Sequence, residues 1–182
     1  WRSALIVQCT NPLWAHQCED GSIVFSDFGN AHVVRDLWLP CGQCMACRVT
    51  SAQKWSVRCV HEAKLYGHGL QNAFVTLTVD DEHADEIFPR GSLVYRPFQL
   101  FQKRLRKKLG EDRARFRMCA EYGELSERPH FHALEFNVWP EDAKKWRKSG
   151  DGYLYRSAEL EKLWPFGQVE FGRVTPESAA YV

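Results

Sequence analysis

Arg128-Pro129-His130-Phe131-His132-Ala133-Leu134 alternates as a β-strand does. Residues i and i+2 of a strand share a face. His130 and His132 therefore look to one side, and Phe131 to the other, where it can enter a core. Two adjacent imidazoles are the natural beginning of a metal site. The segment just upstream, Arg113 to Glu121, also alternates, with Phe116, Met118 and Ala120 on one face. If the two strands pair antiparallel through the connection Tyr122 to Pro129, Glu121 stands opposite His130, with Cβ atoms about 4.5–5.5 Å apart. One carboxylate and two imidazoles then converge at one end of a hairpin. Three protein ligands leave positions open on a hard or borderline divalent cation, which suits catalysis better than a structural role. Glu124 is the fallback acidic ligand. The competing reading makes both histidines ordinary core or surface residues.

Around this hairpin the pattern predicts an α+β domain, an antiparallel sheet with flanking helices. Phe74-Val75-Thr76-Leu77-Thr78-Val79 is a β-branched run that predicts a strand. An acidic loop follows. Pro97 opens a helix with Phe98, Phe101, Leu105 and Leu109 as its stripe, and Gly110 stops it. The hairpin strand from His130 runs to Val138. Further helices are expected at Glu141 to Lys148 and Ser157 to Trp164, with a strand between Val169 and Val174. Thr175-Pro176-Glu177 starts a last helix: a cap, a first-position proline and an acid near the positive helix end.

Upstream, residues 1–47 look irregular, with strand candidates at Ala4 to Val7 and Ser22 to Phe25. A helix is predicted from Arg48 to Tyr66, burying Ala52, Trp55, Cys59, Ala63 and Tyr66, and ended by Gly67 and Gly69. The expected division is a Cys-rich N-terminal segment and helix, 1–72, packed on a main domain, 73–182. Trp1 and Val182 read as cut ends of a longer chain.

At 45% hydrophobic and 26% charged residues, the composition is that of an ordinary soluble globular protein. No apolar run approaches the roughly 20 residues of a membrane span, so no membrane partner is expected. The net charge of +1 does not announce a nucleic-acid binder. Its distribution matters more. Lys103, Arg104, Arg106, Lys107 and Lys108 form a dense basic run, which is either a solvated helix face or a phosphate-binding one.

Of seven cysteines, Cys41, Cys44 and Cys47 stand two residues apart. Such thiolates bind zinc or an iron–sulfur cluster, or are simply buried small residues. Zinc needs a fourth ligand, for which Cys9 is the first choice, with Cys18 or His16 behind. Cys59 and Cys119 read as core residues.

Tyr181 lies about one and a half turns into the last helix, beyond Ser178, Ala179 and Ala180, which let a helix lie close on a sheet. A tyrosine hydroxyl, with a pKa near 10, is a poor nucleophile unless the electrophile is activated. A metal beside it would supply that activation. Alternatively, its ring simply packs on the core.

Four segments occur in a telling order: Phe74-Val-Thr-Leu-Thr78, Glu121-Tyr-Gly-Glu124, Arg128-Pro-His-Phe-His132 and Ser178-Ala-Ala-Tyr-Val182. With Pro40-Cys-Gly-Gln-Cys44 and Leu163-Trp-Pro-Phe-Gly167, they resemble the replication initiators of microviruses, small single-stranded DNA phages, especially the gokushovirus-like branch. Those are HUH endonucleases, U being a hydrophobic residue. The resemblance implies an HUH-endonuclease/RRM-like, about five-stranded sheet with the HUH strand central. It implies Mg²⁺ or Mn²⁺ on His130 and His132, with Glu121 as the acidic ligand, and Tyr181 as the first tyrosine of the nucleophile helix. Relatives often carry a second tyrosine one turn later, then a lysine, and this sequence stops before either.

The reaction so implied is nicking and rejoining of single-stranded DNA through a 5′-phosphotyrosine, initiating rolling-circle replication in the cytoplasm of a bacterial host cell, together with host replication machinery. Lys103, Arg104, Arg106, Lys107, Lys108 and Arg128 are the expected phosphate contacts. Trp14, Trp38 and Tyr122 could stack on bases or merely pack. Two other readings stand beside this one: an HUH transposase or relaxase, and a non-catalytic, zinc-stabilised nucleic-acid-binding module.

Overall fold

The computed structural model describes residues 9–25, 32–66, 71–110, 114–123, 128–150 and 152–182. The predicted strand at Ala4 to Val7, the helix stop at Gly67 and Gly69, and the fallback ligand Glu124 lie outside them. The chain forms two compact units, residues 1–54 and 55–182. Among the described residues no helix is long and apolar enough to cross a membrane.

In the first unit, β1 (Leu13–Cys18), β2 (Ile23–Val24) and β3 (Val33–Leu39) form an antiparallel sheet in the order β2-β1-β3. The irregularity expected for residues 1–47 is thus corrected. Trp14 pairs with Trp38 across β1 and β3, their rings stacked at 6.0 Å, and aromatic pairs of this kind are what hold a small sheet together. Helix α1 (Met45–Lys64) begins earlier than predicted. Of its expected stripe only Cys59 and Ala63 are buried, while Ala52 and Trp55 are exposed and Tyr66 lies half-buried past the helix end.

The second unit is a six-stranded antiparallel sheet. Its strands are β4 (Ala73–Thr78), β5 (Arg115–Tyr122), β6 (Pro129–Phe136), β7 (Lys144–Ser149), β8 (Gly152–Arg156) and β9 (Val169–Arg173), ordered β5-β6-β4-β9-β8-β7. The two-histidine strand β6 is interior, between β5 and β4. Its alternation sorts the two faces. Phe131 and Ala133 join Val75, Leu77, Val169 and Phe171 in the larger core, covered by Phe98, Phe101 and Leu105 of α3 (Arg96–Leu109) and by Trp164. Leu134 and Phe136 point the other way, against Cys59 and Ala63 of α1 and Ala179 of α5 (Pro176–Tyr181).

Two expectations fail here. The acidic stretch after β4 is a short helix, α2 (Asp81–Ile87), which buries Ile87. The predicted helix from Glu141 to Lys148 is instead strand β7, exposed at all six positions. That segment has no apolar stripe for a helix to bury. It has a hairpin turn after it: Ser149 pairs with Gly152, and Gly150 takes φ 54, the left-handed conformation such turns require. Lys145 lies 4.4 Å from the Tyr153 ring and Arg156 5.2 Å from the Trp146 ring, so cation–aromatic contacts tie β7 to β8. This hairpin raises the sheet from about five strands to six.

The Leu163-Trp-Pro-Phe-Gly167 segment follows α4 (Ala158–Leu163) and clasps the end of β4. Trp164 Nε1 donates to the Thr78 carbonyl at 2.7 Å, and Asp80 N donates to the Phe166 carbonyl at 2.8 Å. Gly167 sits so close that a Cβ there would overlap the Thr78 carbonyl oxygen and stand 3.0 Å from Asp80 N. Only glycine permits this approach.

Candidate active site

β5 and β6 pair in the register predicted from the alternation: Glu121 faces His130, and Cys119 faces His132. On the other flank β4 sets Thr78 opposite His130 and Thr76 opposite His132. Glu121 Oε1 lies 3.0 Å from His130 Nε2 and 3.3 Å from His132 Nε2. Adjacent ligands of an octahedral cation with bonds near 2.1 Å stand about 3.0 Å apart, and those of a tetrahedral one about 3.4 Å apart. All three ligand atoms lie within 4.8 Å of one another. The donors therefore sit close to the separations that one shared cation imposes, and the cluster could hold a metal ion.

The imidazoles are held from behind. His130 Nδ1 is 3.0 Å from the Arg128 carbonyl oxygen. A carbonyl only accepts, so Nδ1 carries the hydrogen, and in the neutral ring Nε2 keeps its lone pair for a cation. His132 Nδ1 is 3.0 Å from Thr76 Oγ1, and the Phe74 ring stacks on His132 at 5.3 Å and 6°. Burial, and then the neighbouring His130, lower the His132 pKa and so favour the neutral, ligating ring. Burial pushes the Glu121 carboxyl up, but hydrogen bonds from Tyr181 and His130 and the nearby imidazoles outweigh it and hold it below the ordinary range.

Tyr181 reaches the cluster because α5 is stapled at its start. Thr175 Oγ1 accepts from Ser178 N, and Ser178 Oγ accepts from Thr175 N, with Pro176 at the first position. Buried Ala179 seats the helix on the sheet. Beyond it, Tyr181 lies edge-on to His132 with ring centroids 5.2 Å apart, and its hydroxyl donates to Glu121 Oε1. Its side chain is 56% exposed, which sets it apart from a core tyrosine.

A second cluster lies in the first unit. Cys9, Cys41, Cys44 and Cys47 bring four Sγ atoms within 4.8 Å of one another, so this group too could hold a metal ion. Cys44 and Cys9 Sγ are 3.8 Å apart, far beyond the ~2.05 Å of a disulfide and matching the ~3.8 Å between thiolates on tetrahedral zinc at 2.3 Å. Backbone amides point at the sulfurs: Cys41 N to Cys9 Sγ and Cys44 N to Cys41 Sγ, both 3.3 Å. Amide donors from Cys47 and Thr10 bring the Cys44 thiol down to about 5. Cys47 has an amide of Gly42 acting to lower it, yet burial and the three other thiols push it up to about 12. Four such sulfurs cannot all ionise together without a cation among them. The runners-up stand apart: His16 Nδ1 pairs with Asp36 at 2.7 Å, and Cys18 is buried in β1.

The basic run is not beside the histidines. It lies on α3, which packs on the Phe131 face of the sheet, with Phe98 and Phe131 rings 5.7 Å apart. Three of its members are also engaged locally. Arg104 donates to the Leu163 carbonyl at 3.1 Å, Arg106 to the Ala114 carbonyl at 3.3 Å, and Lys108 pairs with Glu159 at 2.8 Å. Lys103 and Lys107 are exposed on the same helix. Arg128 pairs with Asp81 at the edge of the cluster. Sequence reasoning passes over Thr76 and Phe74, the residues that orient His132. The signal is present in Phe74-Val-Thr-Leu-Thr78, whose alternation puts Phe74, Thr76 and Thr78 on one face.

Residues 72–182, which carry the six-stranded sheet and its histidine cluster, match the family of the replication-associated protein ORF2, and the chain belongs to that family. It is 35% identical over 184 residues to the replication-associated protein VP4 of Bdellovibrio phage phiMH2K, covering 97% of this chain and 56% of that protein. It is 32% identical to the replication-associated protein ORF2 of Spiroplasma virus 4, covering 95% of this chain and 58% of that protein. A third relative, the replication-associated protein ORF4 of Chlamydia phage 1, is 28% identical over 79% of this chain and 36% of its own length. The chain therefore spans little more than half the length of the first two. The relatives are phage replication proteins, as the order of the motifs leads one to expect. No solved structure matches the chain.

Proposed function

We propose that this chain is the nicking and joining part of a phage replication initiator, acting on single-stranded DNA inside the bacterial host cell and handing a 3′-OH to host replication machinery. One observation carries this reading: the exposed Tyr181 hydroxyl is hydrogen-bonded to Glu121, the carboxylate that also touches both histidines. A nucleophile and a metal-ligating triad thus share one oxygen atom. The family supports the setting, since its named relatives are phage replication-associated proteins.

Glu121, His130 and His132 would hold Mg²⁺ or Mn²⁺, which when bound supplies Lewis-acid polarisation of a phosphodiester. The chain's own residues do the rest. Thr76, Phe74 and the Arg128 carbonyl fix the imidazoles. Glu121 aims Tyr181 Oη into the cluster. Tyr181 Oη then forms a bond to phosphorus and gives up its proton to solvent. The bond from phosphorus to the 3′ oxygen breaks, and that oxygen leaves as a hydroxyl. The 5′-phosphotyrosine conserves the phosphodiester bond energy, so the reverse attack by a 3′-OH rejoins a strand without ATP. The four thiols of the first unit would hold structural Zn²⁺.

The test is incubation with labelled single-stranded oligonucleotides spanning candidate phage origins, in Mn²⁺, followed by a denaturing gel. A protein–DNA band that survives denaturation supports the reading, and its loss in Tyr181→Phe assigns the nucleophile. Binding without any adduct, whatever the metal and oligonucleotide, would make the chain a non-catalytic module.

A further inference from the structure

A cleft of about 360 Å³ opens beside β5, the edge strand of the sheet. That volume is in the range of small-ligand sites. Its walls are unusual in charge. Four guanidinium groups, Arg58, Arg106, Arg115 and Arg117, meet a single carboxylate, Glu62. That carboxylate is already taken, 3.0 Å from Arg115 and 2.9 Å from the Tyr66 hydroxyl. Arg106 is tied to the Ala114 carbonyl. This leaves Arg58 and Arg117, whose cationic heads rest on Trp55 at 5.0 and 4.1 Å from its ring and have no carboxylate partner among the described residues. Arg117 Nε is buried with no hydrogen-bond partner at all. A buried donor without an acceptor in a native structure calls for a missing partner.

The cleft and the histidine cluster share a face. Along β5, Arg115, Arg117, Cys119 and Glu121 project to one side, and Glu121 is the residue that touches His130 and His132. Arg117 is four residues from Glu121, roughly 13 Å at ~3.3 Å per residue. Guanidinium forks recognise phosphate bidentately, and an aromatic ring behind each fork holds it flat at little entropic cost. Trp55 and the partly exposed cleft wall also provide an aromatic surface of the kind on which bases stack.

We propose that this cleft is a second binding subsite, in which Arg58 and Arg117 clamp a phosphodiester of the same single-stranded DNA roughly 13 Å from the cluster that would cut it. This deepens the reading under Proposed function and rests on it. It also moves the main electrostatic contact from the α3 basic run to the α1–β5 edge, with Arg106 as the one member of that run that lines the cleft.

The test is equilibrium binding of a fluorescent oligonucleotide in chelator, across a salt series, so that neither metal nor chemistry enters. Each phosphate contact contributes about 0.7 to the slope of log affinity against log salt for a single strand. Arg58→Gln and Arg117→Gln should each flatten the slope by about 0.7 and weaken binding roughly tenfold at low salt. Lys144→Gln, the same charge loss on the distant strand β7, should change neither. Arg58 lies on an exposed part of α1, so its variant keeps the test valid if Arg117→Gln fails to fold. A slope unchanged in Arg58→Gln overturns the proposal. So does an Arg58→Gln effect that persists on a mononucleotide, too short to span from the cluster to the cleft. Failure of the nicking reading would show instead as absence of the covalent adduct in unaltered protein, with these slopes untouched.

Discussion

Adding Mn²⁺ to the metal-free protein should raise its thermal midpoint by about 10 °C, and His130→Ala/His132→Ala should remove that rise. The donors need little rearrangement, since Glu121 Oε1 already stands 3.0 and 3.3 Å from the two Nε2 atoms. Binding energy therefore goes into stabilisation of the folded unit, not into assembling the site. A ligand at a hundred times its dissociation constant stabilises by about 2.7 kcal/mol. Residues 55–182 form the unit that carries the site. At about 2.1 cal/mol/K per residue, roughly 130 residues have an unfolding entropy of about 0.27 kcal/mol/K, so about 2.7 kcal/mol is worth about 10 °C. Differential scanning fluorimetry over a Mn²⁺ titration reads this directly. The metal-free midpoint of the variant will fall because His132 is buried under Phe74, so the difference with and without metal is what counts. Tyr181→Phe should keep the full rise, as its hydroxyl is not one of the three ligands. An equal rise in the double histidine variant would refute the site.

Three further outcomes are expected. Burial pushes the Glu135 carboxyl up to about 8, against 4.5 ordinarily, with Gln102 Nε2 donating to it. A carboxyl raised on folding stabilises most below 4.5 and loses that contribution as pH rises through about 8. Glu135→Gln should thus be close to neutral at about pH 5 and stabilising at about pH 9, by at most about 5 kcal/mol, as read in denaturant melts across pH. Gly167→Ala should cost about 1–3 kcal/mol, because its Cβ overlaps the Thr78 carbonyl; an unchanged denaturation midpoint would contradict the close approach. Elemental analysis of protein purified under reducing conditions should give about one tightly bound zinc per chain, lost together with thermal stability on Cys44→Ser, whereas absence of both zinc and iron would leave the four thiols as a cluster of buried cysteines.

Much of the site can be read from spacing because strands alternate with a period of two. That rule alone puts His130 and His132 on one face, and a short hairpin brings Glu121 opposite His130. The last helix is legible from Thr175-Pro176-Glu177, where cap, proline and acid act locally. What escapes depends on partners distant in sequence. Thr76 and Phe74 orient His132 only because β4 pairs with β6, which no local pattern declares. Strand β7 reads as a helix in sequence because its lysines and arginines favour helices, while its actual stabilisation comes from Tyr153, Trp146 and the turn at Gly150. The basic run on α3 is plain in sequence, yet the face it takes is set by Phe98 and Phe101 entering the core, on the side away from the histidines. The cationic groups on the histidine side, Arg58 and Arg117, are scattered in sequence and gather only through Trp55.

The most direct test is to map the covalent linkage itself. Protein incubated with origin single-stranded DNA and Mn²⁺ would be denatured, trimmed by nuclease and protease, and sequenced by tandem mass spectrometry. The account predicts a nucleotide joined through its 5′-phosphate to the Tyr181 peptide, with an extendable 3′-OH on the released strand. A nucleotide on any other residue, or a cut strand with no protein attached, would contradict it.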